Sequence, residues 1–287
     1  MLHKLQIIMV MGISWLLVFL LTSCAPGKKA IQIKGSDTMV NLGQAWAEAY
    51  MKKNPKVSIA VTGGGSGTGI AALLSGTTDI AQSSRNIEPK EIEMAEEKGI
   101  IPKEFHVAND GISIIVHPSN PVSKLTIKQL SDIFTGKIKS WKEVGGNKER
   151  IVALSRERNS GTHVFFLEHV VKLGDKKNKN EFAPAVLMMP SSQAIIEEVS
   201  GNPSAIGYVG LGYCTPAQKI LAVAKDEKSP YLLPTVKTVT NGTYPIARSL
   251  FFYTNGEPSG EVKSFIDFVL SEEGQKIVQK MDFVPVK

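Results

Sequence analysis

The chain has 287 residues, of which 43% are hydrophobic and 21% are charged, and it carries a formal net charge of +6 at pH 7. This length allows one large domain or two domains of ordinary size. The lysines are scattered rather than grouped, which argues against a nucleic-acid partner. The mild positive field would attract a small anion, or would simply keep the protein soluble.

The first 24 residues read as an export signal. Lys4 is followed by an apolar run over 5–21, and the tetrapeptide 21–24 is Leu-Thr-Ser-Cys. A basic start, a short apolar run and small residues before a break are typical of a secretory signal. The tetrapeptide resembles a bacterial lipobox, which implies lipidation at Cys24 and an exported protein anchored to the membrane by lipid. The alternative is a transmembrane anchor, because the run is near the lower length limit for spanning.

Strand-like and helix-like segments alternate along the rest of the chain. Apolar periodicity predicts helices over 38–53, 70–74, 127–134, 164–172 and 260–281. It predicts strands over 31–35, 57–61, 79–84, 105–116, 151–155, 204–209 and 250–253. This alternation indicates an α/β fold with substantial parallel pairing, in which ligands gather at the carboxyl ends of the strands.

Three clusters of Gly, Ser and Thr stand where a helix would begin. They occupy 35–38, 63–69 and 159–162. The first N–H groups of a helix have no partner within it and the helix dipole is positive there, so such turns favour anions. Arg156 and Arg158 flank the third cluster, and Arg85 follows two serines at a strand end. Together these features predict an oxyanion site contacted from several sides.

Three other classes of site fit the sequence poorly. A phosphate-binding P-loop needs a Lys after its last Gly, whereas Gly69 is followed by Ile70. A serine hydrolase would need a base such as His163, but no nucleophile elbow is present. The histidines and Cys214 show no metal-ligand spacing, so neither a metal nor a cofactor is expected.

With the tetrapeptide Ala205-Ile206-Gly207-Tyr208 and the segment 244–248, Tyr-Pro-Ile-Ala-Arg, these motifs make the chain similar to a known family. It resembles the phosphate-binding lipoproteins of the phosphate-specific ABC transporter, within the type II periplasmic-binding-protein superfamily. The resemblance implies an α/β fold of two domains, the Venus-flytrap arrangement, with a two-stranded hinge and the ligand between the domains. The expected divisions are a signal peptide with lipobox over 1–24, a discontinuous domain 1 over 30–108 plus 244–287, and domain 2 over 109–243.

The resemblance also implies ligand-binding positions. Matched by motif, they are Thr38, Met39, Ser66, Arg156, Ser160, Gly161 and Thr162. The same turns add Ser36, Asp37 and Ser84, with Gly65, Gly67, Arg85 and Arg158 as further candidates.

Two positions depart from the family pattern. Some members have an Asp where this chain has Ser84, and that Asp accepts a hydrogen bond from the protonated oxygen of phosphate, whereas sulfate carries no such proton. Asp37 could provide an acceptor instead, or could serve as a helix N-cap. Arg158 stands where an acidic residue often accompanies the residue matched by Arg156.

The function implied is extracytoplasmic binding of inorganic phosphate and its delivery to the permease and ATPase subunits of an ABC importer, by a monomer that is not an enzyme. Three alternatives stay open at this point. The ligand could be sulfate, molybdate or tungstate, the scaffold could carry a phosphatase-like enzyme, or the protein could be a phosphate sensor or an adhesion protein.

Overall fold

The computed structural model describes residues 30–286, so the predicted signal peptide and Cys24 lie outside the described residues. Strands in this part of the chain are β1 (Ile31–Gly35), β2 (Ile59–Thr62), β3 (Ile80–Ser83), β4 (Pro102–Val116), β5 (Lys124–Thr126), β6 (Val152–Arg156), β7 (Leu187–Met189), β8 (Ala205–Gly210), β9 (Lys219–Ala224) and β10 (Ala247–Asn255). The α-helices are α1 (Val40–Lys53), α2 (Ser66–Leu74), α3 (Pro89–Glu97), α4 (Ile127–Phe134), α5 (Gly161–Phe166), α6 (Ser192–Gly201), α7 (Val236–Thr240), α8 (Gly260–Leu270) and α9 (Glu272–Lys280). Short 3₁₀ turns lie at Asp37–Met39, Trp141–Val144 and Leu211–Tyr213, and a π-helical turn at Leu167–Val171.

The first lobe is built on three parallel strands in the order β2-β1-β3. Ile31 and Ile33 of β1 are buried in its core, together with the fully buried Trp46 of α1. The Trp46 indole N–H donates to the Gly274 carbonyl of α9 at 2.8 Å, and its ring meets Phe252 of β10 edge-on. The C-terminal segment therefore returns to complete the first lobe.

The second lobe contains a separate core around the parallel strands β8-β6-β7. The rings of Phe166 and Tyr208 stack with centroids 3.8 Å apart, and Phe134 packs edge-on against both. Aromatic pairs of this kind stabilise a core beyond the area that they bury. Phe166 is the last residue of α5, and the Tyr208 hydroxyl lies 2.6 Å from Ser155 Oγ of β6, so this core holds the two elements that flank the third predicted turn.

Strands β4 and β10 connect the two lobes as a two-stranded hinge. They pair antiparallel, and Asp110 lies opposite Arg248. Along β4, Ala108 belongs to the first core and Ile112 to the second. The molecule is thus a two-lobed α/β fold with a two-stranded hinge, in agreement with the predicted fold class. Tyr244 packs in the second core, and the domain boundaries at 108/109 and 243/244 stay a prediction.

Three helix predictions are wrong in their extent. The helix expected over 164–172 begins three residues earlier, at Gly161, and becomes π-helical at Leu167. The helix expected at 70–74 begins four residues earlier, at Ser66, within the glycine-rich loop. The single helix expected over 260–281 is divided at Ser271, which leaves the helical conformation and caps α9 by accepting the Gly274 N–H. In residues 30–286 we find no helix that is both long enough and apolar enough to cross a membrane.

Candidate oxyanion site between the lobes

Five hydroxyl groups meet between the lobes and form what we call the hydroxyl cluster. Its members, each at most 1% exposed, are Ser36, Thr38, Ser66, Ser84 and Thr162. The Ser36 hydroxyl donates to Ser84 Oγ at 2.9 Å, and Ser66 Oγ lies 3.4 Å from Ser84 Oγ. Thr38 Oγ1 of the first lobe and Thr162 Oγ1 of the second are 2.8 Å apart. Residues from all three predicted turns are therefore in contact.

The topology explains why these turns converge. Ser36 follows β1 and Ser84 follows β3, which are parallel neighbours, so both serines lie at the same edge of the sheet. Gly35 has φ of 143°, and a Cβ there would collide with the Gln82 carbonyl. The close approach of the two strand ends thus requires glycine at this position.

Arg156 lies at the end of β6 and is 1% exposed. Its guanidinium donates to Asp37 Oδ2 at 2.6 Å, Pro190 O at 2.9 Å, Ser192 Oγ at 3.1 Å and Met189 O at 3.3 Å. Because Asp37 belongs to the first lobe, the ion pair crosses the cleft. Such charge-assisted hydrogen bonds are about twice as strong as neutral ones.

Asp37 connects the lobes through both its side chain and its backbone. Its Oδ1 accepts the Gly64 N–H at 3.1 Å, and its carbonyl accepts from the Tyr213 hydroxyl at 2.5 Å. Burial raises the pKa of Tyr213 to about 12, and the Asp37 charge contributes to this shift. The N-cap hypothesis for Asp37 is wrong, because Ser36 occupies the N-cap position of this turn. The acceptor role of Asp37 stays a prediction.

The glycine loop packs directly on the third turn. The Asn159 side chain donates to the Gly64 carbonyl at 2.8 Å, and the Gly67 N–H donates to the Asn159 carbonyl at 3.0 Å. Gly65 has φ of 91°, and a Cβ there would lie 2.6 Å from that carbonyl. A Cβ on Gly161 would lie 2.8 Å from Ser84 Oγ and closer still to Ser66 Oγ. The small residues of both turns are thus needed for the lobes to meet.

The other candidate positions have different surroundings. Ser160 is buried at the N-cap of α5, and the Met39 N–H donates to the Ser36 carbonyl at 3.0 Å. Arg85 donates to both carboxylate oxygens of Glu91 on α3, at 2.7 and 2.8 Å. Arg158 is exposed. The structure therefore does not bring Arg85 or Arg158 into the hydroxyl cluster.

Two residues at this site were missed by the sequence analysis. Arg248 donates to Thr38 Oγ1 at 3.3 Å, and Asp110 accepts from Arg248 at 2.8 Å. Arg248 belongs to the segment 244–248, which was used as a family motif. The position of Arg248 in that motif could have indicated a role at the site, but nothing in the local sequence shows which way its side chain points.

A serine and a histidine lie in contact behind Arg156, but their geometry opposes catalysis. His163 Nδ1 is 2.8 Å from the Arg156 carbonyl and 3.1 Å from Ser155 Oγ. A carbonyl can only accept, so Nδ1 carries the proton and cannot remove one from Ser155. Burial lowers the pKa of His163, and the charge of Arg158 lowers it further. In residues 30–286, no three His, Cys, Asp or Glu side chains are grouped to hold a metal ion.

Comparisons with known proteins agree with this architecture. The sequence profile of the PBP superfamily domain matches residues 22–273. The chain is 34% identical to the phosphate-binding protein PstS of Pseudomonas aeruginosa, over 88% of this chain and 81% of that protein. It is 33% identical to the PstS of Bacillus subtilis, over 90% of this chain and 81% of that protein.

A solved structure from Clostridium perfringens, described as a phosphate ABC transporter substrate-binding protein with bound phosphate, is 36% identical and has a TM-score of 0.80. The match covers 90% of this chain and all of that one. The sequence, the two-lobed fold and the converging turns lead to one assignment. The chain belongs to the PBP superfamily and, within it, to the PstS family of substrate-binding proteins.

Proposed function

We propose that this chain binds inorganic phosphate between its lobes and delivers it to the permease and ATPase subunits of an ABC importer. The observation that carries the proposal is the convergence of five buried hydroxyls and Arg156, contributed by both lobes. The relatives named as phosphate-binding proteins, and the similar structure with bound phosphate, support this choice of ligand.

The chemistry of the cluster suits a tetrahedral oxyanion. Each hydroxyl can donate one proton, and the backbone N–H groups of Gly161 and Thr162 lie at the start of α5, where no carbonyl of that helix can accept from them. The acceptor oxygens of a bound phosphate would take these protons from both lobes at once. Binding would therefore stabilise the closed arrangement, since donors of one lobe alone cannot surround the anion.

The site that we propose comprises the hydroxyl cluster, Arg156 and the turn at 160–162, with Asp37 as the carboxylate that neutralises Arg156. Such a protein carries its ligand without altering it. The protonated Nδ1 of His163 supports this reading, because it leaves Ser155 without a base on that side.

We also propose that the protein is exported, that it is held at the membrane by lipid on Cys24, and that it acts as a monomer. The Leu-Thr-Ser-Cys tetrapeptide supports the lipid anchor. Incorporation of labelled palmitate into the expressed protein, abolished by Cys24→Ser, would test it. Incorporation that persists in the variant would exclude Cys24 as the lipidation site.

Calorimetric titration of the ligand-stripped protein, lacking residues 1–24, tests the ligand. Phosphate is titrated at pH 6 and pH 8, with and without excess sulfate. We expect tight phosphate binding that sulfate does not displace. Sulfate binding of equal strength, or no phosphate heat at either pH, would contradict the proposal and direct attention to other oxyanions.

A further inference from the structure

A buried ion pair lies on the hinge beside the hydroxyl cluster. The guanidinium of Arg248 donates to Asp110 Oδ2 from Nε at 3.1 Å and from an Nη at 2.8 Å. Asp110 Oδ1 accepts the Leu211 N–H at 3.0 Å. The side chains of Arg248 and Asp110 are 2% and 0% exposed, and the two residues are opposite one another on β10 and β4. The pair therefore stands where the chain crosses between the lobes.

The same guanidinium contacts two members of the hydroxyl cluster. It donates to Thr38 Oγ1 at 3.3 Å and to the Ser84 carbonyl at 3.1 Å. A guanidinium has donors and no acceptor, so the Thr38 oxygen must accept. The single proton of Thr38 is then directed away from Arg248, toward Thr162 or toward a bound anion. One side chain thus fixes the direction of a hydroxyl and the position of the turn that carries Ser84.

We propose that Arg248, held by Asp110, is a positioning residue of the anion site, which orients the Thr38 hydroxyl as a donor. This inference rests on the proposed function. Arg248 acts through Thr38 and the Ser84 turn rather than by pairing with the anion, because its Nε and both Nη atoms already donate to Asp110, Thr38 or the Ser84 carbonyl.

The energetics of the pair support a role beyond stability. Burial raises the pKa of Asp110 and lowers that of Arg248, and the attraction between them opposes both shifts. A buried ion pair often stabilises a fold no better than apolar residues of the same volume. Its position against Thr38 is therefore better explained by what it orients than by what it contributes to folding.

The primary test is the charge-neutral double variant Asp110→Asn/Arg248→Gln, compared with the unmodified protein by calorimetry with inorganic phosphate. The double variant keeps the net charge of the protein and roughly the volume of the two side chains. Its unfolding temperature without phosphate should therefore stay close to that of the unmodified protein. We expect phosphate binding to weaken about ten- to hundredfold, the range for loss of a hydrogen bond to a charged group. Unchanged affinity in the folded variant would overturn the inference.

A double-mutant cycle with Thr38→Val separates positioning from other effects. If Arg248 acts through Thr38, the paired substitutions Asp110→Asn/Arg248→Gln should weaken binding by only about twofold in a Thr38→Val background, because the oriented hydroxyl is already gone and no unpaired carboxylate is left. Additive losses would instead indicate direct contact with the anion or a general structural effect, and would refute the positioning role. Arg150→Gln, at an exposed arginine, is the matched control for loss of one positive charge and should bind normally.

Arg248→Lys tests whether the planar arrangement of the guanidinium donors is needed. Lysine keeps the charge but cannot reach Asp110, Thr38 and the Ser84 carbonyl together. We expect it to bind phosphate as weakly as Arg248→Gln, and full affinity would show that charge alone suffices. If the unmodified protein gives no phosphate heat, the proposed function fails. If the unmodified protein binds phosphate and the Asp110→Asn/Arg248→Gln variant binds it with the same affinity, only this inference fails.

Discussion

Replacement of Arg156 by alanine should have a large effect on phosphate binding. Arg156 is 1% exposed and neutralises Asp37 across the cleft at 2.6 Å. The substitution removes a charged donor, which costs about 1.5–3 kcal/mol, and leaves a carboxylate unpaired beside the anion. The unpaired carboxylate also destabilises the protein without ligand, so only part of its cost affects binding. We therefore expect the free energy of phosphate binding to become less favourable by about 3 kcal/mol. The Kd for phosphate should therefore rise roughly a hundredfold.

The double variant Arg156→Ala/Asp37→Asn distinguishes the two contributions. It removes the unpaired carboxylate, so only the lost donor remains, and phosphate affinity should recover by about tenfold over the single variant. Both variants are titrated with phosphate by calorimetry, after thermal unfolding has shown that each folds without ligand. Normal binding by Arg156→Ala would remove Arg156 from the site, and a double variant no better than the single one would show that Asp37 does not face the anion.

Three further perturbations test the same geometry. Gly161→Ala should weaken phosphate binding by about a hundredfold or more, since the new Cβ would lie 2.8 Å from Ser84 Oγ. Gly201→Ala is the control, because a Cβ there would meet open space. If calorimetry gave the two variants the same phosphate affinity, the packing argument would be contradicted. Ser84→Asp adds a carboxylate that repels sulfate but can accept a hydrogen bond from protonated phosphate. In competition titrations we expect the affinity for sulfate to fall by about tenfold while the affinity for phosphate stays the same. An equal fall in both affinities would contradict this explanation. Because burial lowers the pKa of His163, the folded state disfavours its protonation, so stability should fall as the pH drops below about 6.5 and toward the folded pKa. Denaturant unfolding should show that His163→Gln removes part of this pH dependence, and an identical pH profile would exclude His163 as its source.

The elements with a clear local signal were predicted well. The helix at 127–134 was predicted at its observed bounds, because apolar spacing coincides with a capping box between Thr126 and Gln129. The start of α2 was missed, since five glycines in the seven residues 63–69 resemble a loop. In the structure a Cβ on Gly69 would strike β1, so this glycine serves close packing of helix on strand. Tertiary packing therefore overrides the low helix propensity of glycine there.

The site shows the same division between local and distant signals. The hydroxyl turns were recognised because each is a short motif placed after a strand. The Asp37–Arg156 and Asp110–Arg248 pairs join residues 119 and 138 positions apart. Every charged residue in the sequence has many possible partners, so only the folded topology selects these two. The pair of Arg85 with Glu91 likewise forms only once α3 is in place, and a ligand-binding role for Arg85 stays a prediction.

The two ion pairs together define the charge balance of the site. Asp37 neutralises Arg156 and Asp110 neutralises Arg248, so the four side chains bring no net charge to the cluster. An anion that enters must then be held mainly by neutral donors, whose protons have to point inward before it arrives. Hydroxyls accept as readily as they donate, so a cluster of them alone has no fixed polarity. The donor-only guanidinium of Arg248 against Thr38 removes that ambiguity from one side of the cleft, while Arg156 supplies a charged donor from the other.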